Sequence, residues 1–170
     1  FFFFFISLDT QKAVGNAKMV ILGDAAVGKS SIILRFTRNS FSSFGESTIG
    51  AAFFTTSIET DTSLIKTELW DTAGQERYGA LAPMFYRNAN AALVVYDITS
   101  RPSYDRARRW VDQLRSQRQC PVIVLIGNKV DLDHMRQVPI TKVQEYAAQH
   151  EIHFVESSAK TNVNIQEPFR

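Results

Sequence analysis

Short, predominantly apolar runs alternate along the chain with segments of helical periodicity. The runs occupy residues 18–22, 91–98, 122–126 and 152–155. Apolar runs that are rich in β-branched residues and bounded by turn residues are typical of strands covered on both faces, as in parallel sheets. The pattern therefore predicts a sheet that is mostly parallel.

Residues 55–70 differ from these runs because they have the pattern of two half-polar strands. The two strands are joined by residues that favour a turn, namely Thr60, Asp61, Thr62 and Ser63. This segment predicts a β-hairpin, which adds one antiparallel strand at the edge of the sheet.

Two segments between the predicted strands have the spacing of amphipathic helices. The first carries its apolar face at Tyr104, Ala107, Val111 and Leu114. The second begins with a capping-box pattern at residues 141–144 and turns inward at Val143, Tyr146 and Ala147. Alternating strands and helices predict an α/β fold: a six-stranded, doubly wound sheet with one antiparallel edge strand and helices on both faces.

Composition and charge narrow the class of protein. The chain has 170 residues, 45% of them hydrophobic, which suits one domain with a core. A net charge of +2 is too small to indicate nucleic acid as a partner, so the face at Arg106, Arg108 and Arg109 is expected to be solvated surface. The single cysteine, Cys120, cannot form an internal disulfide.

The beginning of the chain does not fit the alternating pattern. The run from Phe1 to Phe5 is of low complexity, and the apolar stretch is much shorter than the roughly 20 residues that a membrane helix needs. We therefore expect residues 1–17 to be a disordered or artefactual leader and residues 18–170 to form the domain.

The first predicted strand runs directly into a phosphate-binding loop. Residues 23–30 fit the pattern G-x-x-x-x-G-K-[ST], in which the glycines let backbone N–H groups turn inward around phosphates. The lysine adds positive charge, the hydroxyl can ligate Mg²⁺, and the positive end of the following helix also faces the anion. The phosphate-binding residues expected here are Gly23, Ala25, Ala26, Val27, Gly28, Lys29, Ser30 and Ser31.

A second motif follows the hairpin. Asp71 stands where a carboxylate could hold Mg²⁺, by way of a water molecule. Gly74 lets a backbone N–H group approach a terminal phosphate, and Gln75 could orient an attacking water. Beside a phosphate loop, these residues predict the second half of a phosphoryl-transfer site.

The last two predicted strands end in base-recognition patterns. Asp131, in an N-K-x-D segment, can accept hydrogen bonds from N1–H and N2–H₂ of guanine, a donor pair that adenine lacks. The aliphatic stem of Lys129 can lie over the base, and the backbone N–H of Ala159 can donate to guanine O6. Because ligands bind at the carboxyl ends of such strands, the four segments together predict a guanine nucleotide site.

The ordered set of motifs resembles that of the Rab family of small GTPases in the Ras superfamily. Residues 70–78 (WDTAGQERY) are similar to the Rab form of the second switch. Residues 47–53 (STIGAAF) resemble the first switch of the early-endosomal Rab branch, and residues 81–84 and 94–99 point to the same branch. The resemblance, over residues 18–164, implies the small G domain fold of the P-loop NTPases.

The resemblance also implies roles for individual residues. Thr48 would close on Mg²⁺ and the γ-phosphate in the GTP state, Gly74 would sense that phosphate, and Gln75 and Lys29 would be catalytic. The implied Mg²⁺ ligands are Ser30, Thr48 and, through water, Asp71. The implied guanine-binding residues are Phe41, Asn128, Lys129, Asp131, Ser158, Ala159 and Lys160. The implied effector-binding residues are Ile49, Phe53, Trp70 and Phe85, the last in place of the usual Tyr.

The implied activity is that of a switch which hydrolyses GTP slowly and recruits effectors in its GTP state, during endosomal vesicle traffic and fusion. Its implied partners are guanine nucleotide with Mg²⁺, an exchange factor, a GTPase-activating protein and effectors. No nucleic acid partner is expected, and the chain is expected to be a monomer in the cytoplasm.

The family fold ends with a helix that covers one face of the sheet. Pro168 falls in its first turns and the chain stops at Arg170, so we expect this last helix to be largely missing and the domain to be truncated. The prenylated tail that attaches Rab proteins to membranes is likewise not in the sequence, and a full-length protein would cycle onto endosomal membranes. Two alternatives stay open: a nucleotide-binding fragment that does not switch, and another P-loop ATPase or kinase.

Overall fold

A computed structural model describes residues 12–43, 48, 50–73, 82–118 and 120–170 of the chain. The strands are β1 (Ala13–Gly23), β2 (Ala51–Glu59), β3 (Ser63–Thr72), β4 (Ala91–Asp97), β5 (Val122–Asn128) and β6 (His153–Glu156). The α-helices of the described ranges are α1 (Lys29–Arg38), α2 (Ala82–Tyr86), α3 (Arg101–Ser116) and α4 (Ile140–Gln149). Short 3₁₀ helices span Val130–Met135 and Glu167–Phe169.

The strands form one sheet in the order β2-β3-β1-β4-β5-β6. β2 pairs antiparallel with β3, whereas β3, β1, β4, β5 and β6 pair in parallel with their neighbours. The predicted hairpin, the antiparallel edge strand and the mostly parallel sheet are therefore confirmed. This order brings the carboxyl ends of β1, β3, β4, β5 and β6 to one edge of the sheet.

The hydrophobic core has two layers because successive side chains of a buried strand point to opposite faces. On β1, Val20 and Leu22 join one cluster with the apolar faces of α3 and α4. Ile21, between them, belongs to a second cluster with Ile32 and Ile33 of α1. Helices thus cover both faces, as the alternation of elements predicts, and no helix within the described ranges is long and apolar enough to cross a membrane.

The first strand is longer than its apolar run. The expected leader ends at residue 17, but β1 begins at Ala13, and residues 13–17 pair in parallel with residues 63–67 of β3. Gly15 and Asn16 interrupt the apolar pattern of these residues and none of the five is buried, so hydrophobicity does not mark the beginning of the strand. Residues 1–11 lie outside the described part of the chain.

The capping-box interpretation of residues 141–144 is wrong. α4 begins at Ile140 with Pro139 at its N-cap, and no side chain caps it. Proline fixes the backbone angle φ before the first turn without any side-chain hydrogen bond, which explains the earlier start. The predicted inward face is confirmed, since Val143, Tyr146 and Ala147 are buried.

The last described residues pack onto the α1 face of the sheet. Ile165 and Phe169 are almost fully buried in the same cluster as Ile33, and the ring of Phe169 stacks on that of Phe36 at 3.8 Å. This contact covers part of the sheet face that the sequence pattern leaves open.

Candidate functional site

The phosphate-binding loop connects the end of β1 to the first turn of α1. Its two glycines have positive φ angles, +145° for Gly23 and +97° for Gly28. A Cβ atom on Gly23 would lie 2.3 Å from the carbonyl oxygen of Val95, and one on Gly28 would lie 2.3 Å from Nδ2 of Asn128. Both positions therefore require glycine, and Gly28 leaves the positive end of α1 open to a ligand.

Lys29 is the first residue of α1 and is buried. Its ammonium group donates hydrogen bonds to the carbonyl oxygens of Gly23 at 3.1 Å and Asp24 at 2.7 Å. Burial lowers the pKa of Lys29 to about 8, although the negative charges of Asp71 and Asp24 act in the opposite direction. The structure thus concentrates positive charge at the predicted phosphate position.

Three oxygen-bearing side chains meet beside this lysine. The hydroxyl group of Ser30 donates to Oδ2 of Asp71 at 2.5 Å and lies 2.8 Å from the hydroxyl of Thr48. Asp71 is fully buried, and its Oδ1 atom has no hydrogen-bond partner among the described residues. Burial raises the pKa of this carboxyl, against the effects of the Ser30 hydrogen bond and the Lys29 charge.

This arrangement fits Mg²⁺. The ion binds few protein ligands, usually one or two carboxylates or hydroxyls, and completes its shell with water and substrate phosphates. An orphaned, buried carboxylate oxygen beside two hydroxyl groups is such a donor set. Among the described residues, no cluster of three or more His, Cys, Asp or Glu side chains competes with it.

Asn128, at the end of β5, connects the base-recognition loops to the phosphate loop. Its Nδ2 atom donates to the carbonyl oxygen of Val27 at 2.9 Å. Its Oδ1 atom accepts from the backbone N–H of Ala159 at 3.3 Å and from the hydroxyl of Ser157 at 3.5 Å. One side chain therefore joins three segments that are more than 25 residues apart along the chain.

Lys129 and Asp131 are each held by one partner. The ammonium group of Lys129 lies 2.6 Å from Oδ2 of Asp97, at the end of β4. Burial alone would raise the pKa of Asp97, but the hydrogen bonds from Lys129 and Thr99 outweigh it and lower that pKa. The hydroxyl group of Ser158 donates to Oδ1 of Asp131 at 2.6 Å, so both predicted guanine loops are in direct contact.

These segments enclose a cavity of about 590 Å³. The predicted residues that line it are Ala25, Ala26, Gly28, Lys29, Ser30, Ser31, Phe41, Thr48, Asn128, Lys129, Asp131, Ala159 and Lys160. Of the other predicted residues, Gly23, Val27, Asp71 and Ser158 contact this lining from behind through the hydrogen bonds and close approaches already described. Ile49, Gly74 and Gln75 lie outside the described residues.

Several lining residues were not predicted from the sequence. They are Leu34, Ser40, Ser42, Ser43 and Leu132. The three serines surround Phe41 in a short polar run, which is a usable signal that the chain leaves the core there. Nothing in the sequence distinguishes the two leucines from core residues.

The predicted aromatic side chains form a surface away from the cavity. Phe53 packs edge-on against Trp70 with ring centroids 5.4 Å apart, and Trp70 contacts Phe85 at 6.4 Å. Phe53 is about half exposed (53%), so core packing does not account for it fully. Lys18, which was not predicted, places its ammonium group 4.8 Å from the centre of the Trp70 ring.

A phosphate loop after the first strand and a base-recognition cluster at the other end of one cavity define a guanine nucleotide-binding domain. Comparison with known proteins agrees, because the model of the Ras family matches residues 18–170. The chain belongs to the Ras family of small GTPases. It has the activity of that family, the hydrolysis of GTP to GDP and phosphate, so the ATPase and kinase alternative is excluded.

Within the family, plant proteins named Rab5 and RABF are among the relatives. The chain is 49% identical over 157 residues to Ras-related protein Rab5A of Oryza sativa subsp. japonica, covering 92% of the chain and 77% of that protein. It is 50% identical over 155 residues to Ras-related protein RHN1 of Nicotiana plumbaginifolia, covering 91% and 78%. It is 49% identical over 155 residues to RABF2b of Arabidopsis thaliana, with the same coverage.

Proposed function

We propose that this GTPase is a slow molecular switch that recruits effectors in its GTP state and regulates endosomal vesicle traffic and fusion. One observation carries the proposal: a single cavity has the phosphate loop at one end and Asn128, Lys129 and Asp131 at the other. The similarity to Rab5 and RABF proteins supports the endosomal setting.

Recognition of guanine would rest on Asp131. The hydrogen bond from Ser158 fixes one oxygen of this carboxylate and orients the group at the rim of the cavity. A fixed carboxylate rejects adenine because it would face no N1–H and N2–H₂ donors and would lose solvation without compensation. Lys129, anchored on Asp97, would cover the base, and Phe41 would stack on its edge.

Ser30 and Thr48 would hold Mg²⁺ directly, and Asp71 would hold it through a water molecule. When bound, the ion neutralises charge on the phosphates. The Ser30–Asp71 hydrogen bond is compatible with this role, because the Ser30 hydroxyl would keep donating its proton to Asp71 while a lone pair faced the metal. Thr48 reaches Ser30 from the segment before β2, so it would report the presence of the outermost phosphate to that strand.

Hydrolysis would depend on Lys29 for charge and on Gln75 for orientation of the attacking water. No arginine is among the described residues that line the cavity. Without an arginine finger, such enzymes turn over at about 10⁻⁴ to 10⁻³ s⁻¹, and an activating protein raises this roughly 10⁵-fold. The proposed readout is the order of residues 41–53 and 74–84, which would present Phe53, Trp70 and Phe85 to effectors.

The proposal is tested by nucleotide binding and by the variant Gln75→Leu. Fluorescent GDP should be displaced by GTP and not by an equal concentration of ATP. Gln75→Leu should bind GTP as the wild type does but lose most of the hydrolysis that an activating protein stimulates, about 100-fold or more, because the water is no longer oriented.

The measurement is single-turnover release of phosphate, with and without a Rab5-type activating protein. Val163→Ala, an exposed position outside the site, is the matched control and should hydrolyse GTP like the wild type. Unchanged stimulated turnover in Gln75→Leu would refute the role of Gln75. Tight nucleotide binding with no turnover in any variant would instead favour the non-switching alternative.

A further inference from the structure

A charged pair connects helix α3 to the phosphate-binding loop. The guanidinium group of Arg106 contacts Oδ2 of Asp24, the residue that directly follows β1. The Asp24 side chain is only 16% exposed and that of Arg106 is 40% exposed. Arg106 is thus partly exposed, as expected for this helix face, but its charge is directed at the loop.

Asp24 is tied to the loop by two further hydrogen bonds. Its second carboxylate oxygen, Oδ1, accepts from the backbone N–H of Ala25 at 2.8 Å. Its carbonyl oxygen accepts from the ammonium group of Lys29 at 2.7 Å. Asp24 thus adjoins Ala25, which lines the cavity, and Lys29, which is expected to bind the phosphates.

Asp24 places a negative charge in a loop that is proposed to bind anions. A carboxylate in a loop built to bind phosphates adds repulsion toward an anion, and this repulsion is stronger in a partly buried setting than in water. A guanidinium group within hydrogen-bond distance neutralises that carboxylate and fixes its direction. Besides Lys29 within the loop, α3 supplies an opposing charge through Arg106, although this helix begins 77 residues after Asp24 in the sequence.

We infer that Arg106 is a positioning residue for nucleotide binding: by neutralising and holding Asp24, it keeps the phosphate-binding loop receptive to the diphosphate of GDP or GTP. The inference rests on the proposed nucleotide site, and it adds a residue outside the sequence motifs that determines nucleotide affinity. Arg106 acts through Asp24 and needs no contact with the nucleotide.

Single and double variants of Arg106 and Asp24 distinguish a charge effect of this pair from a merely structural contact. Arg106→Gln removes the guanidinium charge that neutralises Asp24, so GDP should dissociate about tenfold faster, a modest factor because the pair is partly screened by solvent. Asp24→Asn keeps an acceptor for Ala25 and removes the charge, so GDP should dissociate no faster than from the wild type. The double variant Asp24→Asn/Arg106→Gln should return to within about threefold of Asp24→Asn alone.

The experiment measures dissociation of fluorescent GDP in excess Mg²⁺ at low and high salt, together with the melting temperature of each nucleotide-bound variant. Arg109→Gln removes the same charge from an exposed position of the same helix and is the matched control. The excess dissociation of Arg106→Gln should shrink at high salt, and Arg106→Lys should restore part of the wild-type rate.

Equal acceleration in Arg109→Gln, or no recovery in the double variant, would overturn the inference. So would Asp24→Asn releasing GDP as fast as Arg106→Gln, because the contact would then act by shape and not by charge. A wild-type chain that binds no guanine nucleotide would instead refute the proposed function itself, so the two failures are distinguishable.

Discussion

The predicted phosphate site changes the protonation equilibrium of Lys29 even without a bound phosphate. Burial lowers its pKa to about 8 from the ordinary value of 10.5, partly opposed by Asp71 and Asp24. The folded-state pKa is below the unfolded one, so between these two values the unfolded chain binds more protons and stability rises with pH. Below about pH 8, the folded chain carries the full cost of a buried ammonium group, which an arriving phosphate would offset.

Nucleotide binding should therefore take up protons near pH 8. With a free-state pKa of about 8, Lys29 is half protonated at that pH, and a bound phosphate raises its pKa well above the solution pH. We expect an uptake of about 0.5 proton per GDP at pH 8 and almost none at pH 7. Isothermal titration in two buffers of different ionisation enthalpy measures this number directly.

The control for this prediction is Lys29→Arg, whose side chain does not titrate in this range. If it retains measurable binding, its proton uptake at pH 8 should vanish. Equal uptake in the wild type and Lys29→Arg would assign the proton to another group. No uptake in the wild type would mean that Lys29 is already fully charged in the free chain.

At the level of elements, the strands could be predicted because hydrophobic runs and strand ends coincide in a parallel sheet. The motifs at the ends of β1, β3, β5 and β6 were therefore found where ligands of such sheets bind. What the sequence could not indicate are contacts between elements that share no local pattern. The Arg106–Asp24 pair is one example, and the approach of Lys18 to Trp70 is another.

The boundaries of strands and helices were harder to predict from the sequence, because they too depend on contacts between elements. The exposed beginning of β1 is determined by its pairing with β3, and the start of α4 is determined by the backbone of Pro139. Neither feature leaves a hydrophobic signal. The N-K-x-D motif predicted that Asn128 belongs to the site. It could not predict the hydrogen bond from Asn128 to Val27, which depends on how close the ends of β1 and β5 lie.

Gly28 tests how closely the phosphate loop and the β5 end are fitted. A Cβ atom there would lie 2.3 Å from Asn128 Nδ2, in a backbone conformation at φ +97° that strains any other residue. Gly28→Ala should thus break the Asn128–Val27 hydrogen bond and cost about 2–4 kcal/mol of unfolding free energy. It should also weaken GDP binding by at least about 100-fold, because both ends of the cavity move.

Gly15→Ala is the matched control, since a Cβ atom on this strand residue would meet no atom within 4 Å among the described residues. Its effect on stability should stay within about 0.5 kcal/mol. Urea unfolding gives the free energies, and equilibrium titration with fluorescent GDP gives the affinities. Similar losses of stability and GDP affinity in the two variants would show that the close approach of Gly28 to Asn128 is not the reason why glycine is required at position 28.

For the whole molecule, the cluster on the α1 face joins the end of the chain to the nucleotide site. Phe169 and Ile165 pack in the same cluster as Val27, behind the phosphate loop, and Ala159, in the base loop. A change at the chain end should therefore affect the whole domain and not only its last residues.

Phe169→Ala should lower the unfolding free energy by about 3 kcal/mol, the lower range for truncating a buried phenylalanine. Its side chain is 2% exposed and stacks on Phe36, so a cavity would remain. For a domain of this size, the melting temperature should fall by roughly 6–12 °C. Thermal unfolding of the Mg²⁺–GDP form, followed by circular dichroism, measures the shift, with the exposed Val163→Ala as control.

Saturation with nucleotide separates local fraying from a loss that reaches the site. Ligand at 100 times its dissociation constant adds about 2.7 kcal/mol to any variant that still binds. If Phe169 only caps the chain end, wild type and Phe169→Ala should gain the same free energy at one fixed concentration of Mg²⁺–GDP, because their GDP affinities should agree. Since Val27 and Ala159 share the cluster, we expect Phe169→Ala to bind GDP about three- to tenfold more weakly, and identical affinities would contradict this coupling.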